Sequence, residues 1–377
     1  MSQTKLVLIG GGHSHAIALK LWSQNPLPDV ELILISDVEN TPYSGMLPGY
    51  VAGFYSYQET HIHLPSLAKM AGARLILDRA IDVDLEQNRV YLQQNEPVSF
   101  DYLSLDIGST PQTATTPGAT KYAIAAKPVP LFLEAWQKIL TEAANNPQKH
   151  LKITIVGGGA GGVELALNIQ TRLLQQCQNL TITLVHRGAT ILDGHNQKVS
   201  QLLTEILYKQ GIQLLRNTEV SEIQSQQIIC ADGLIIPTDY TFWVTQADSP
   251  QWVKDSPLVK SDRGFIMVND YLQSVSHPQV FATGDIATMV NYTRPKAGVF
   301  AVRQGKPVYE NWCNLIKRQP LQPYTPQSQY LALIGTGDKR AIASRGNLCF
   351  HSSLLWHLKD YIDRQFMKQF ELLTVNS

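Results

Sequence analysis

The sequence predicts an α/β fold made of two Rossmann-like dinucleotide-binding units, the second inserted in the first, followed by a small α+β segment. Three stretches carry that prediction. Ile153 to Val156 is a short apolar run leading into Gly157-x-Gly159-x-x-Gly162 and then into a helix-compatible sequence. In such a turn the first glycine permits the sharp strand-to-helix reversal, the second lets a diphosphate approach backbone, and the third allows close helix–strand packing. The diphosphate then meets the positive end of the helix. A near copy lies earlier, where Leu6 to Ile9 runs into Gly10-Gly11-Gly12-His13-Ser14-His15, so two dinucleotides are expected. The third stretch, Gln279-Val-Phe-Ala-Thr-Gly-Asp-Ile-Ala287, is a strand ending in Thr-Gly-Asp where a later segment returns to the first unit.

Composition bounds the rest. At 377 residues, 44% hydrophobic and 16% charged, the chain is long enough for two or three domains with ordinary cores. Lys plus Arg and Asp plus Glu are both 31, so no global field attracts nucleic acid or anionic lipid, and nucleic acid is not an expected partner. Cys177, Cys230, Cys313 and Cys349 form no C-x-x-C pair and no zinc-ligand spacing. A reduced, cytoplasmic setting is expected. The first apolar run begins after Lys5 and breaks at Gly10, which leaves no secretory segment. No window supplies the ~18 to 20 apolar residues of a membrane-spanning helix.

The elements follow in order. Residues 5 to 36 read as strand, glycine turn, helix from Ala16 to Ser23, and second strand Val30–Ser36. An acid after that second strand commonly binds adenosine ribose; here Ser36 holds the expected position and Asp37 follows, so both are candidates. His15 replaces the third glycine and crowds the helix against the strand. Thr41 to Gly53, rich in Gly and Pro, reads as a loop. Ile81 to Val98 alternates as strands do, and Tyr102 to Ser109 is a strand ending at Gly108. A linker spans Ser109 to Gly118, and Pro128 to Ala144 is helical. The second unit starts at Leu151, with Leu180 to His186 as its second strand. Residues 264 to 310 return to the first unit, and three prolines between Gln319 and Pro326 mark a boundary. Tyr330–Gly335 and Arg340–Ser344 read as a hairpin, and Leu354–Phe370 as the last helix. The resulting domains are 1–112 with 256–325, 113–255, and 326–377.

This arrangement resembles the two-dinucleotide flavoproteins of the pyridine nucleotide-disulfide reductase and type II NADH:quinone oxidoreductase family. Thr41-Pro-Tyr-Ser-Gly-Met-Leu-Pro-Gly49, Leu105-Asp-Ile-Gly-Ser109, Lys296 to Gly305 and Lys359 to Met367 are similar to a narrower NADH-dehydrogenase-like subgroup, also found fused in front of selenide, water dikinase. The resemblance implies FAD in the first site, held by Gly10, Gly11, Gly12, His13, Ser14, Ser36 or Asp37, and Gly108. Gly284 and Asp285 would meet the ribityl chain, and Lys296 and Ala297 the flavin edge. NAD(P)H would occupy the second site on Gly157, Gly159, Ala160 and Gly162.

Stacking nicotinamide on flavin brings the hydride within the ~3 to 3.5 Å of a near-attack geometry, so few protein acids or bases are needed. Pro295 to Gly298 should begin a helix whose positive end faces the flavin pyrimidine. Lys127 is a candidate for charge beside the flavin, or else a solvated surface lysine. In the resembling quinone reductases a glutamate at the position of Glu164 faces the nicotinamide site; otherwise Glu164 is a first-turn acid complementing the helix dipole. Where NAD enzymes carry an acid after the second strand, this chain has His186-Arg187. A cation there suits the 2′-phosphate of NADPH, with NADH left open and a solvent-facing Arg187 as the alternative.

Residues 37 to 65 contain no cysteine, so the family's dithiol relay is not expected and a diffusible acceptor is. Quinone is the acceptor the resemblance implies, although Val299 and Arg303 stand where the family's glutamines would be. Reduction of a selenium or sulfur species, and non-enzymatic redox sensing, are the alternatives. The terminal helix has an apolar stripe of Leu354, Leu358, Tyr361, Ile362 and Phe366, fit for packing on the protein's own core, for a homodimer, or for peripheral membrane contact. His13/His15 and His61/His63 lack a third ligand, so no metal site is expected.

Overall fold

The computed structural model describes residues 3–111, 116–245 and 247–371. The first unit supplies β1 (Thr4–Ile9), α1 (His13–Gln24), β2 (Val30–Ser36), β3 (Arg74–Leu77) and β4 (Tyr102–Leu105). The second supplies β5 (Ala123–Ala125), α2 (Val129–Asn145), β6 (Leu151–Val156), α3 (Ala160–Leu173), β7 (Leu180–Val185), α4 (Gln197–Lys209), β8 (Gln213–Leu215) and β9 (Tyr240–Trp243). The chain returns through β10 (Val280–Ala282) and α5 (Gly298–Ile316). It then forms β11 (Ala332–Gly335), β12 (Ala341–Arg345), β13 (Leu348–Ser352) and α6 (Ser353–Glu371).

Two parallel sheets result, in the orders β10-β4-β1-β2-β3 and β5-β9-β6-β7-β8. Each centres on the strand that enters its glycine turn. Leu6 to Ile9 and Leu32 to Ile35 are buried, as continuous apolar strands must be when helices cover both faces. All strands run parallel, but the order in which they are added reverses between β1 and β4, and a ligand crevice opens beyond the carboxyl ends at such a switch point.

The stretch from Thr41 to Gly53 is more ordered than a loop. Asn40–Pro42 pairs with His61–His63, and Leu47–Val51 is a short helix that tolerates Pro48 in its first turn, where no intrahelical N–H is needed. The expected hairpin gains β13 as a third strand. Leu348 and Phe350 on that strand point outward, which hides the usual alternation. Of the expected linker, residues 112–115, and with them the 112/113 boundary, lie outside the described residues. Thr110–Pro111 pairs antiparallel with Ala247–Asp248, so the two crossings between units run side by side. By Val253 the chain is back in the first core.

The final segment has its apolar residues in two places. Ile334 and Ile342 join the core of the second unit, while Met367 and Phe370 join that of the first. It clamps one unit to the other.

Candidate functional site

A cleft of about 470 Å³ opens at the carboxyl ends of β1, β2 and β4. Gly10, Gly11, Gly12, His13, Ser36, Asp37, Gly108, Lys127 and Asp285 all line it. Residues far apart in sequence are thus gathered by the parallel sheet and by the return of the chain through β10. Four expected residues, Ser14, Gly284, Lys296 and Ala297, are not part of its lining. Ser14 turns its hydroxyl to donate to the Ala301 carbonyl at 2.7 Å. Lys296 and Ala297 line a separate cavity of about 30 Å³ beyond Gly284 and Asp285. The Lys296 ammonium donates to the Ala287 carbonyl and to Thr288 Oγ1 at 2.9 Å, and lies 4.1 Å from the centre of the Phe265 ring. Burial lowers it to about 8, against the pull of Asp285. Gly298 and Ala301, one turn further on, are what α5 presents to the cleft.

At that end of the cleft Lys127 Nζ donates to Asp285 Oδ2 at 2.8 Å and to Ser109 Oγ at 3.0 Å. Burial acts to raise the Asp285 carboxyl, but the charge and hydrogen bond of Lys127 outweigh it and hold it below its usual value. Lys127 is therefore no solvated surface lysine. At the opposite end Ser36 bonds its own turn, donating to the Val38 carbonyl at 2.8 Å. Asp37 pairs with Arg79 at 3.3 Å. Arg79 went unnoticed in the sequence because it lies one turn beyond β3, and only the β2–β3 register brings it to the rim.

Beneath the first glycine turn lies a buried polar network. His15 is fully buried, with Nδ1 2.7 Å from the Gly10 carbonyl and Nε2 2.8 Å from Ser104 Oγ. In the second unit the corresponding Gly162 simply lets the helix lie against the Gly157 carbonyl. The imidazole thus replaces close packing with a hydrogen bond, and burial holds it neutral, down at about 4. Asp106, 3% exposed, accepts from the His15 amide at 3.1 Å. Its carboxyl fills the space that a side chain on Gly12 or Gly284 would need. Gln304 Oε1 accepts from the Gly284 amide at 2.7 Å and fixes the Thr-Gly-Asp turn. Neither Asp106 nor Gln304 was singled out from sequence, since acids and amides at these places match no dinucleotide fingerprint.

The second turn is open where the first is filled. A Cβ on Gly159 would meet nothing within 4 Å, just ahead of Ala160 and the start of α3. Gly157 has φ +127° against the Val244 carbonyl, a conformation and an approach that only glycine allows. His186 packs against this turn and accepts from the Gly158 amide at Nδ1, 3.2 Å away. Arg187 beside it is exposed. Glu164 does not face solvent as a dipole-complementing acid would. Its Oε1 accepts from the Gly335 amide of β11 at 2.7 Å, and burial, opposed by Lys359, pushes the carboxyl up to about 7.

The model of the family described as pyridine nucleotide-disulphide oxidoreductase matches residues 4–305. The chain belongs to that family. Members of the pyridine nucleotide-disulphide oxidoreductases are flavoenzymes that use FAD and NAD(P)H, and this protein is an oxidoreductase of the NADH dehydrogenase-like kind. It is 23% identical over 369 residues to the NADH dehydrogenase-like protein YutJ of Bacillus subtilis, covering 95% of this chain and 99% of that one. It is 24% identical over 356 residues to the demethylphylloquinone reductase NdbB of Synechocystis, covering 88% and 85%. The structure of NDH2 from Plasmodium falciparum in complex with NADH superposes with a TM-score of 0.81 at 15% identity, covering 99% and 98%.

All four cysteines are free, three of them buried, and none lines the cleft. The cleft's volume falls in the ~300 to 1,000 Å³ typical of ligand sites. His13 is bonded to the Pro42 backbone while its Nε2 is buried with no partner, and burial lowers the ring to about 4. A neutral ring with a free nitrogen on the wall of the cleft suits a hydroxyl-bearing ligand. The other histidines have local partners: His61 stacks on Tyr57, and His63 caps the helix Leu64–Met70 through the Ser66 amide. Among the described residues no helix is long and apolar enough to cross a membrane.

Proposed function

We propose that this enzyme is an FAD-dependent NAD(P)H dehydrogenase that takes a hydride from NADPH in preference to NADH and passes two electrons to a quinone. The observation that carries the reading is the Lys127–Asp285 pair at the inner end of the cleft, under the first turn of α5. FAD, when bound there, supplies a two-electron carrier between a nicotinamide and a second substrate. The protein's part is placement and charge. Gly10 to Gly12 leave room for the diphosphate, Asp37 is within reach of the adenosine ribose, and Asp285, kept ionised by Lys127, accepts from the ribityl hydroxyls. The amides that open α5 and the Lys127 ammonium favour negative charge at the pyrimidine end.

Thr41, Pro42 and Ser44 line the cleft, and residues 37 to 65 contain no cysteine. That supports a diffusible acceptor, and the demethylphylloquinone reductase among the relatives supports a quinone. Arg187, exposed after β7 beside the open Gly159, favours a 2′-phosphate. Glu164, half-buried between α3 and β11, is a group able to hold a proton near neutral pH where α3 meets the C-terminal segment. Leu354, Leu358, Tyr361 and Ile362 are exposed on α6, which supports peripheral contact with a membrane that holds the quinone.

Anaerobic stopped-flow mixing with NADPH and with NADH, followed by a short-chain quinone, tests the reading. Fast bleaching by NADPH and fast reoxidation are expected. Protein purified without flavin, or flavin that neither nucleotide bleaches, would sink it; bleaching followed by sluggish reoxidation would remove the quinone alone.

A further inference from the structure

The two glycine turns differ in one respect that the fold does not require. In front of Gly159 there is open space, whereas the equivalent space at Gly12 is taken by the carboxyl group of Asp106, wedged between Gly12 and Gly284. Asp106 lies at the end of β4 and lines the cleft. Its oxygens sit against the first turn of α1, accepting from the His15 amide and, with it, from Ser14. These are among the donors and the dipole end toward which a diphosphate is drawn. From the reading of the cleft as an FAD site we infer that Asp106 must be protonated for the flavin diphosphate to bind, so that each FAD bound takes up one proton at this residue.

The charges around the carboxyl leave no other way to neutralise it. On α1, His15 faces it only through its amide, the ring being turned to Gly10 and Ser104 and held neutral by burial. His13 is likewise neutral. From the Thr-Gly-Asp turn comes a second carboxylate, Asp285, which repels it. The nearby ammonium, Lys127, is committed to Asp285. Lys296 is turned to the Ala287 carbonyl. Two carboxylates thus share one lysine before any phosphate arrives, and a diphosphate adds further negative charge. Burial and Asp285 already raise the Asp106 carboxyl to about 7, against the hydrogen bonds from His15 and Ser14. A proton on Asp106 removes the repulsion, and the resulting O–H is a donor beside the ligand. No bond other than O–H forms or breaks; the proton comes from solvent.

The sign follows from linkage. A ligand that binds the protonated form loses affinity as pH rises above the carboxyl's value in the free protein, by about tenfold per pH unit for one proton, and is indifferent to pH below it. The experiment is release of FAD on dilution of the flavin-loaded full chain between about pH 6 and 9, read by the fluorescence of free FAD. The expected Kd is flat up to about pH 7 and then rises about tenfold per unit. Calorimetric titration of FAD in two buffers of different ionisation heat, which needs no variant, is expected to count one proton taken up at pH 8. Asp106→Asn, isosteric and uncharged, is expected to abolish the slope and to bind FAD more tightly than wild type at pH 8. A wild-type Kd independent of pH with no proton uptake, or an Asp106→Asn protein that keeps the slope, overturns the inference while leaving the flavin site intact. A chain that binds no FAD at any pH removes the flavin reading itself.

Discussion

Single residues here do what their neighbours, rather than their types, allow. Lys127 is half-buried and holds two partners at once, so its charge is directed into the cleft. Replacing it by methionine leaves Asp285 with Ser109 alone, in surroundings whose burial already works to raise its carboxyl. We expect Lys127→Met to slow flavin bleaching by NADPH roughly 10- to 100-fold in stopped-flow runs at matched flavin occupancy; unchanged bleaching would show that Lys127 only braces the fold. The sequence offered Lys127 with an open choice between site and surface; in the structure its ammonium lies on Asp285 in the lining of the cleft. His15 was legible only as an exception to the glycine pattern. Its ring bonds to Gly10 and Ser104 explain how the exception is tolerated, and Ser104 on β4 could not have been named beforehand.

At the scale of elements, the joint between α3 and β11 rests on Glu164. Its carboxylate oxygen accepts the Gly335 amide, and the same burial that raises it to about 7 makes its ionisation unfavourable to the fold. The folded value lies above the ~4.3 of a free glutamate. Stability is therefore greatest below that value, falls as pH rises towards about 7, and is level above. Glu164→Gln keeps the acceptor and cannot ionise, so at pH 8 it is expected to be more stable than wild type by on the order of 1–3 kcal/mol, the difference vanishing below about pH 4. Glu164→Ala leaves the Gly335 amide without a partner and is expected to lose ~1–3 kcal/mol at pH 4.5, a loss offset at pH 8 because alanine, like glutamine, escapes the cost of ionising there. Chemical denaturation at pH 4.5 and 8 checks both; a Gln variant weaker than wild type at pH 8 would refute the linkage. The helix α3 itself was plain from its glycine turn, but its partner strand was not.

The whole molecule is two dinucleotide units held by a terminal clamp. That clamp uses α6 in an unexpected orientation. The stripe of Leu354, Leu358, Tyr361 and Ile362 faces outward, Leu354 being 77% exposed, while the face turned inward carries Asp363, Met367 and Phe370. A polar anchor fixes this orientation: Lys359 Nζ bridges Asp363 and the Gly45 carbonyl, each at 2.6 Å, and Tyr43 donates to Asp363 at 3.1 Å. The sequence left the protein's own core, a second copy and a membrane open as covers for this stripe; of its five residues Phe366 packs on the core, stacked on Tyr43, and the other four are exposed. Apolar area of this extent rarely stays in water, so the stripe is expected to meet a bilayer. Leu354→Glu with Leu358→Glu should abolish co-sedimentation with phospholipid vesicles while leaving NADPH bleaching intact. Vesicle binding equal to wild type would leave a second copy of the chain as its cover, seen as a dimer by light scattering that the same double variant splits.

The sequence by itself determined the two nested units, the order of their main strands and helices, and the glycine-rich walls of both sites. Those features arise from local rules: apolar runs of strand length, glycines where backbone must turn or be approached, and helical spacing after them. Which faces of α6 and Glu164 are covered, where Lys296 points, and how Asp106 comes to stand at the first glycine turn were settled only by tertiary structure. Glu164, the inner face of α6 and Asp106 each depend on a partner more than 80 positions away in the chain, and the register of parallel strands that brings such partners together leaves no trace in local spacing.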